Sequence, residues 1–137
     1  MRNLIIAFLF FLPSLAFSQS FKTESGEAIF LSKAPLNEFT GESEKLKGLI
    51  DLEKNLVDFY LDLNTLKTGI GLRDRHMREN YLETDKFPFA EFTGKMKSIP
   101  ALNTGTTYPV AVVGKFKIHG IERNVEITGN LQKTSSG

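Results

Sequence analysis

The sequence predicts one all-β domain of short antiparallel strands with a single short helix inserted between them. Three observations predict this class. Apolar and polar residues alternate along most of the chain, which is the spacing of a half-buried strand. The connections between the alternating runs are short, which favours antiparallel pairing. One polar, arginine-rich stretch within residues 66–92 breaks the alternation and has helical spacing.

The first 18 residues are predicted to be a cleaved secretory signal peptide. Arg2 gives a positive start, residues 4–12 are apolar, and Ala16-Phe17-Ser18 has the small-x-small pattern that signal peptidases cleave. A membrane anchor, the alternative, needs about 20 apolar residues, and Pro13 interrupts this run. We therefore expect a mature chain that begins at Gln19, is periplasmic or secreted, and does not span a membrane.

Composition restricts the domain and its partners. Without Arg2, residues 19–137 carry 16 Lys+Arg (17 − 1) against 16 Asp+Glu, a net charge of zero. Nucleic acid is therefore not an expected partner, since its recognition needs a clustered basic excess. The chain has no cysteine, which excludes disulfides and thiolate metal sites, so stability must come from the core. Residues 19–137 are enough for one domain with one core.

The alternation predicts about seven strands. His119-Gly120 has the composition of a tight hairpin turn between the last two. Many short antiparallel strands fit either a two-sheet sandwich or a closed barrel, and the period does not distinguish them. The predicted strands lie near residues 21–25, 28–33, 46–52, 56–63, 89–97, 110–118 and 121–131.

A short helix is predicted near residues 72–82. Asp74 is placed to cap a helix that starts at residue 75, by accepting from the free amides of the first turn. Met77 and Tyr81 lie one turn apart, and with Leu82 they are expected to face inward. The predicted helix thus has one buried face.

Several motifs occur in an order that is specific to one family. These motifs cover nearly all of residues 19–137. By their order the chain resembles the YceI-like family, whose members are exported, lipocalin-like proteins that bind polyisoprenoid lipids. The motifs are Phe39-x-Gly41, the hairpin over residues 46–63, Leu66-Lys67-Thr68-Gly69, Arg73-Asp74-x-His76-Met77, Asn80-Tyr81-Leu82, Lys86-Phe87-Pro88-x-Ala90-x-Phe92 and residues 114–131.

The resemblance implies a lipocalin-like, extended antiparallel β-barrel with the helix near one end. It implies an isoprenoid-type lipid, either a quinone or a polyprenyl precursor, as the ligand of an apolar tunnel. Whether the interior is hollow is open, because the same residues would form an ordinary packed core in a β-domain that acts as a protein-interaction or stress-response module. The predicted apolar lining comprises Phe30, Ile50, Phe59, Leu61, Leu63, Met77, Phe92, Val112, Phe116, Val125 and Ile127.

Arg73, Arg75 and His76 are the candidates for contact with a ligand head group, because arginine suits bidentate binding of phosphate. The alternative is that these arginines form surface ion pairs with Asp74 and Glu79. Asp74/Arg78 and Arg75/Glu79 have the i,i+4 spacing of such pairs.

No catalytic residue, cofactor or metal site is predicted, and the protein is not expected to be an enzyme. The acidic residues are scattered over outward strand positions, and no nucleophile motif or phosphate-binding glycine loop is present. His76 and His119 are the only histidines and lack metal-ligand spacing, so His119 is interpreted as a turn residue.

The sequence departs from the family at its C-terminus. In the family, the hairpin that corresponds to residues 111–131 is followed by further strands, whereas this sequence stops at Gly137. Whether it is truncated is open. An edge strand is expected without a neighbour, which favours aggregation unless the N-terminal strand, another partner or a second copy in a homodimer covers it.

Overall fold

A computed structural model describes residues 19–137; the predicted signal peptide, residues 1–18, lies outside them. Six antiparallel strands follow one another through a single sheet in the order β1-β2-β3-β4-β5-β6. The sheet is strongly curled into a half-barrel. Its strands are β1 (Ser20–Ala34), β2 (Asn37–Asp51), β3 (Leu56–Asp62), β4 (Phe89–Met96), β5 (Thr107–Ile118) and β6 (Ile121–Gln132).

The predicted all-β class with one inserted helix is confirmed, but the described residues form six strands rather than about seven. The runs predicted at residues 21–25 and 28–33 belong to one strand, β1. Its pairing with β2 shifts register between Thr23 and Gly26 and again between Gly26 and Ala28. Each irregularity adds a residue to one strand and disturbs the alternation, so the sequence pattern divided β1 and missed the first part of β2.

The helical insert, residues 71–81, combines α1 (Gly71–His76) with a π-helical turn (Met77–Tyr81). The prediction that Asp74 caps the helix is wrong, because the helix begins at Gly71 and Asp74 lies in its first turn. The prediction that Tyr81 faces inward is also wrong, since Tyr81 is 77% exposed.

The π turn explains the outward position of Tyr81. The Leu82 N–H donates to the carbonyl of Met77, five residues earlier, at 2.8 Å. In this wider turn the residue above Met77 is Leu82 and not Tyr81. Met77 is accordingly buried and Leu82 half-buried, as the sequence predicted for those two residues.

The concave face of the sheet has two different ends. Cross-strand pairing aligns Phe59 of β3 with Phe92 of β4, and Phe92 with Phe116 of β5, so three phenylalanines form a row across the interior. At the end away from the helical insert, Val57, Phe92, Met96 and Val112 form a buried cluster. At the helical end, the buried cluster comprises Leu61, Leu63, Leu66, Met77 and Ala90.

The two edges of the sheet are β1 and β6. Between residues 19 and 137, β1 pairs only with β2 and β6 only with β5, so the N-terminal strand does not cover β6. None of the helices in this range has the length and apolar character that crossing a membrane requires.

The curl of the sheet includes a very close approach of β4 to β5. Gly94 and Gly114 are cross-strand partners on the concave face. A Cβ atom on Gly94 would lie 2.6 Å from the carbonyl oxygen of Val113, and one on Gly114 would overlap the carbonyl oxygen of Thr93. Paired glycines thus let the backbones bend together where side chains would hold them apart.

Replacement of Gly114 by alanine is expected to destabilise the fold by about 1–3 kcal/mol, because the added methyl group has no space. Gly129→Ala in β6 is the matched control, since a Cβ there meets no atom within 4 Å. Urea unfolding followed by circular dichroism gives both free energies of unfolding. Equal values for the two variants would contradict the close approach of β4 to β5.

The β5–β6 turn is tied to the segment that follows the helical insert. His119 and Gly120 form the turn with positive φ values of 52° and 69°, as predicted. The Nε2 atom of His119 lies 2.7 Å from Oε2 of Glu83, and its ring packs on Phe87 with centroids 4.8 Å apart. The hydrogen bond with His119, together with Lys86, lowers the pKa of Glu83 below its ordinary value of 4.5.

The hydrogen bond between Glu83 and His119 predicts a loss of stability at acidic pH. A carboxyl whose pKa is lower in the folded state stabilises the fold above its unfolded pKa, and this contribution disappears as the pH falls through the folded value. The urea midpoint should therefore fall as the pH drops below about 4.5, and it should fall less in Glu83→Gln. Glu53→Gln, in the β2–β3 turn, is the control. An identical pH profile for Glu83→Gln and the unaltered protein would refute the role of Glu83.

Candidate ligand-binding cavity

A largely apolar cavity of about 980 Å³ occupies the helical end of the half-barrel. Its volume lies at the upper end of the roughly 300–1,000 Å³ range of small-molecule sites. The helical insert and the first five strands contribute to its wall. Seven of the eleven residues predicted as apolar lining lie on this wall: Phe30, Phe59, Leu61, Leu63, Met77, Phe92 and Phe116.

The other four predicted lining residues lie elsewhere. Val112 belongs to the buried cluster at the opposite end, where Ile50 and Val125 pack against it. Ile127 is 45% exposed on the edge strand β6. The alternatives of hollow and filled interior therefore each describe one end of the same half-barrel.

Small side chains at inward positions explain why the helical end is hollow. Ala28 of β1 and Ala90 of β4 both lie on the cavity wall. Gly41 of β2 is the cross-strand partner of Phe30, and a Cβ on Gly41 would collide with the Phe30 ring. The missing side chain lets this ring lie against the sheet and leaves the space above it open.

The sequence-based prediction of the lining omitted several wall residues. Some of these lie on strands whose inward positions the register shifts of β1 and β2 concealed. Small residues at alternating positions were a usable signal for a hollow interior, but they do not stand out by hydrophobicity. The omitted apolar residues include Ala28, Phe39, Leu46, Leu66, Ala90 and Ile118.

Arg73 lies on the cavity wall and is held there by contacts with Thr68 and Phe39. Its Nε donates to the hydroxyl of Thr68 at 3.0 Å, and its Nη2 donates to the carbonyl of Thr68 at 2.9 Å. Its guanidinium lies 4.6 Å from the centroid of the Phe39 ring, at a distance typical of a cation–π contact. Of its five N–H donors, three have no hydrogen-bond partner among residues 19–137.

Asp74 supports Arg73 indirectly through Thr68. Its carboxylate accepts from the Thr68 backbone N–H at 2.8 Å and from the Thr68 hydroxyl. The hydrogen bond from that hydroxyl is the main cause that lowers the pKa of Asp74, and Arg78 and Arg73 contribute to the same effect. Asp74 therefore stays ionised and holds the threonine that positions the arginine.

The three predicted head-group residues are only partly brought together. Arg73 and His76 line the cavity, whereas Arg75 is exposed and lies off its wall. The ion pairs found between residues 19 and 137 include neither Asp74/Arg78 nor Arg75/Glu79. In the same range, no group of three or more His, Cys, Asp or Glu residues is arranged to hold a metal ion.

Comparison with known proteins supports the family that the motifs indicated. The chain is similar to a polyisoprenoid binding domain from Saccharophagus degradans implicated in plant cell wall breakdown, with a TM-score of 0.72 and 22% identity over 88% of this chain and 71% of that one. At this identity the likeness shows the fold.

Weaker likenesses extend to two further solved structures. BcnA from Burkholderia cenocepacia is 13% identical, with a TM-score of 0.43, over 78% of this chain and 56% of that one. The YCEI protein of Campylobacter jejuni, in a mutant form with a monobromobimane guest, is 17% identical, with a TM-score of 0.47, over 100% and 74% respectively. None of the functionally curated proteins matches significantly. The family model of the YceI-like domain matches residues 20–137, so the chain belongs to the YceI-like domain family.

Proposed function

We propose that this protein binds an amphiphilic, isoprenoid-type lipid, either a quinone or a polyprenyl precursor, in the cavity at the helical end of the half-barrel. The observation that carries the proposal is the cavity itself, with a volume of about 980 Å³ and a wall of mostly aliphatic and aromatic side chains. Burial of each CH₂ group contributes about 0.8 kcal/mol, so a branched hydrocarbon chain gains substantially from such a wall.

The proposed ligand is oriented with its polar end near Arg73 and His76. Thr68 and Phe39 hold the Arg73 guanidinium in place, so little side-chain entropy is lost when it binds a ligand oxygen. Its remaining N–H donors suit a phosphate, a pyrophosphate or a quinone carbonyl. The apolar tail then extends toward the phenylalanine row.

Binding rather than catalysis is the proposed role, and the periplasm or the exterior of the cell is the proposed location. The Asp74 carboxylate, the acidic group next to Arg73, already accepts two hydrogen bonds from Thr68 and so has a structural role. The predicted export signal in residues 1–18 supports the location. A carrier in either place would keep a water-insoluble molecule dispersed outside a membrane.

The alternative function is a β-domain without a ligand that acts in protein interaction or stress response. It accounts for the filled end of the half-barrel but gives no reason for small inward residues such as Ala28 and Ala90 at the other end. Native mass spectrometry of protein from its own host distinguishes the two, because only the carrier should release an isoprenoid lipid on denaturation.

Filling the cavity should reduce ligand binding. Ala28→Phe places a ring in the cavity and is expected to weaken binding of a fluorescent prenyl probe by at least about tenfold, since it removes space for several CH₂ groups. Val113→Phe is the matched control, because Val113 is 40% exposed and does not line the cavity. Fluorescence titration of delipidated protein gives the Kd values. No binding of any quinone or prenyl probe to the unaltered protein would refute the proposal.

The head-group assignment predicts selectivity for charge. Arg73→Met should weaken binding of geranylgeranyl diphosphate by about tenfold or more, because it removes charge-assisted hydrogen bonds worth roughly 1.5–3 kcal/mol. Binding of the uncharged alcohol geranylgeraniol should change little. Arg75→Met is the control, because Arg75 does not line the cavity. Equal losses for the diphosphate and the alcohol would show that Arg73 shapes the cavity without binding the head group.

A further inference from the structure

We infer that the rim of the cavity docks on an anionic lipid bilayer, so that the ligand passes between membrane and cavity without crossing water. This inference rests on the proposed lipid-binding function and adds a surface to it. The rim is defined here as Ile70, Leu72 and Tyr81, the exposed apolar residues of the helical insert and its N-cap.

The rim residues are both part of the cavity wall and open to solvent. Ile70 is 53% exposed, Leu72 is 63% exposed and Tyr81 is 77% exposed, and all three line the cavity. Residues that line the cavity and are also exposed to solvent lie at its opening. At the same end, the tip of the β1–β2 hairpin carries Leu36, which is 100% exposed between two wall residues.

The charges around the rim suit an anionic surface. Residues 66–82 carry Lys67, Arg73, Arg75 and Arg78 against Asp74 and Glu79, a net charge of +2. Since residues 19–137 are neutral as a whole, the remainder carries −2. The segment that carries the exposed apolar residues thus has a net positive charge, while the rest of residues 19–137 has a net negative charge.

This combination is that of an interfacial helix. Such helices insert apolar side chains at the level of the head groups, place arginine or lysine beside them, and gain from attraction to anionic lipids. Tyrosine is favoured at this depth because its ring is apolar and its hydroxyl polar. A protein partner would equally cover Leu72, but the continuity of the rim with an apolar cavity favours a bilayer.

Vesicle flotation tests the inference. The probes are vesicles of phosphatidylcholine alone and of phosphatidylcholine with about one third phosphatidylglycerol, at about 0.05 and 0.5 M NaCl. The unaltered protein should float with the anionic vesicles at low salt and be largely released at high salt. All variants have the same N-terminus as the unaltered protein, so any contribution of residues 1–18 is common to them.

Matched variants identify the surface. Leu72→Asn should lower the partition coefficient on anionic vesicles by about tenfold, and Ile99→Asn, an exposed isoleucine in the β4–β5 loop, should not. Removing Arg75 and Arg78 as a pair (both to Gln) should lower it several-fold at low salt. The control pair Lys54→Gln and Lys95→Gln removes the same charge at the opposite end and should leave partitioning unchanged.

Several results would overturn the inference: equal partitioning of Leu72→Asn and Ile99→Asn, no binding to anionic vesicles, or a dimer that Leu72→Asn dissociates in analytical ultracentrifugation. The Ala28→Phe variant separates this inference from the proposed function. It should bind vesicles normally while losing the prenyl probe. If the unaltered protein binds vesicles but no prenyl probe, the docking surface is supported and the proposed carrier function is refuted.

Discussion

The direction in which each residue faces on the curled sheet determines the rest of this structure. In an antiparallel sheet successive side chains point to opposite faces, so a shift of one residue would exchange the interior and the surface. The pairing of β3, β4 and β5 aligns Phe59, Phe92 and Phe116 in one row. At the end away from the helical insert, large side chains beyond this row meet and fill the interior. At the helical end, small residues such as Ala28 and Ala90 are too short to fill it. The cavity is thus a consequence of side-chain size at fixed inward positions.

Much of the fold could be predicted from the sequence, because period-two alternation survives wherever a strand pairs without interruption. The β5–β6 hairpin and its His119-Gly120 turn are of this kind. The extent of β1 and the first part of β2 could not be predicted from alternation, because their register shifts exchange the inward and outward positions. The exposure of Tyr81 could not be predicted either. Residues four apart share a face in an α-helix, but the chain forms a π turn at Met77–Tyr81.

The site illustrates the same limit for polar groups. The arginine-rich pattern was sufficient to select Arg73, but the alternative interpretation of the sequence paired the arginines of the insert with the nearby acidic residues Asp74 and Glu79. Its observed partners are Thr68, which precedes the helical insert, and Phe39 on β2. The contact with Phe39 depends on how the insert packs against a strand more than 30 residues earlier in the chain. Such a contact follows from tertiary packing and leaves no signal in a single sequence.

The π turn also explains how one short insert can serve two surfaces. Had residues 77–82 continued as an α-helix, Tyr81 would lie above Met77 and face the cavity interior. The wider turn instead places Leu82 on the wall beside Met77 and turns Tyr81 toward solvent. π turns inside helices are uncommon and often occur at functional sites. Here the local change in helical period separates an inward apolar face, which completes the cavity, from an outward one, which is free to meet another surface.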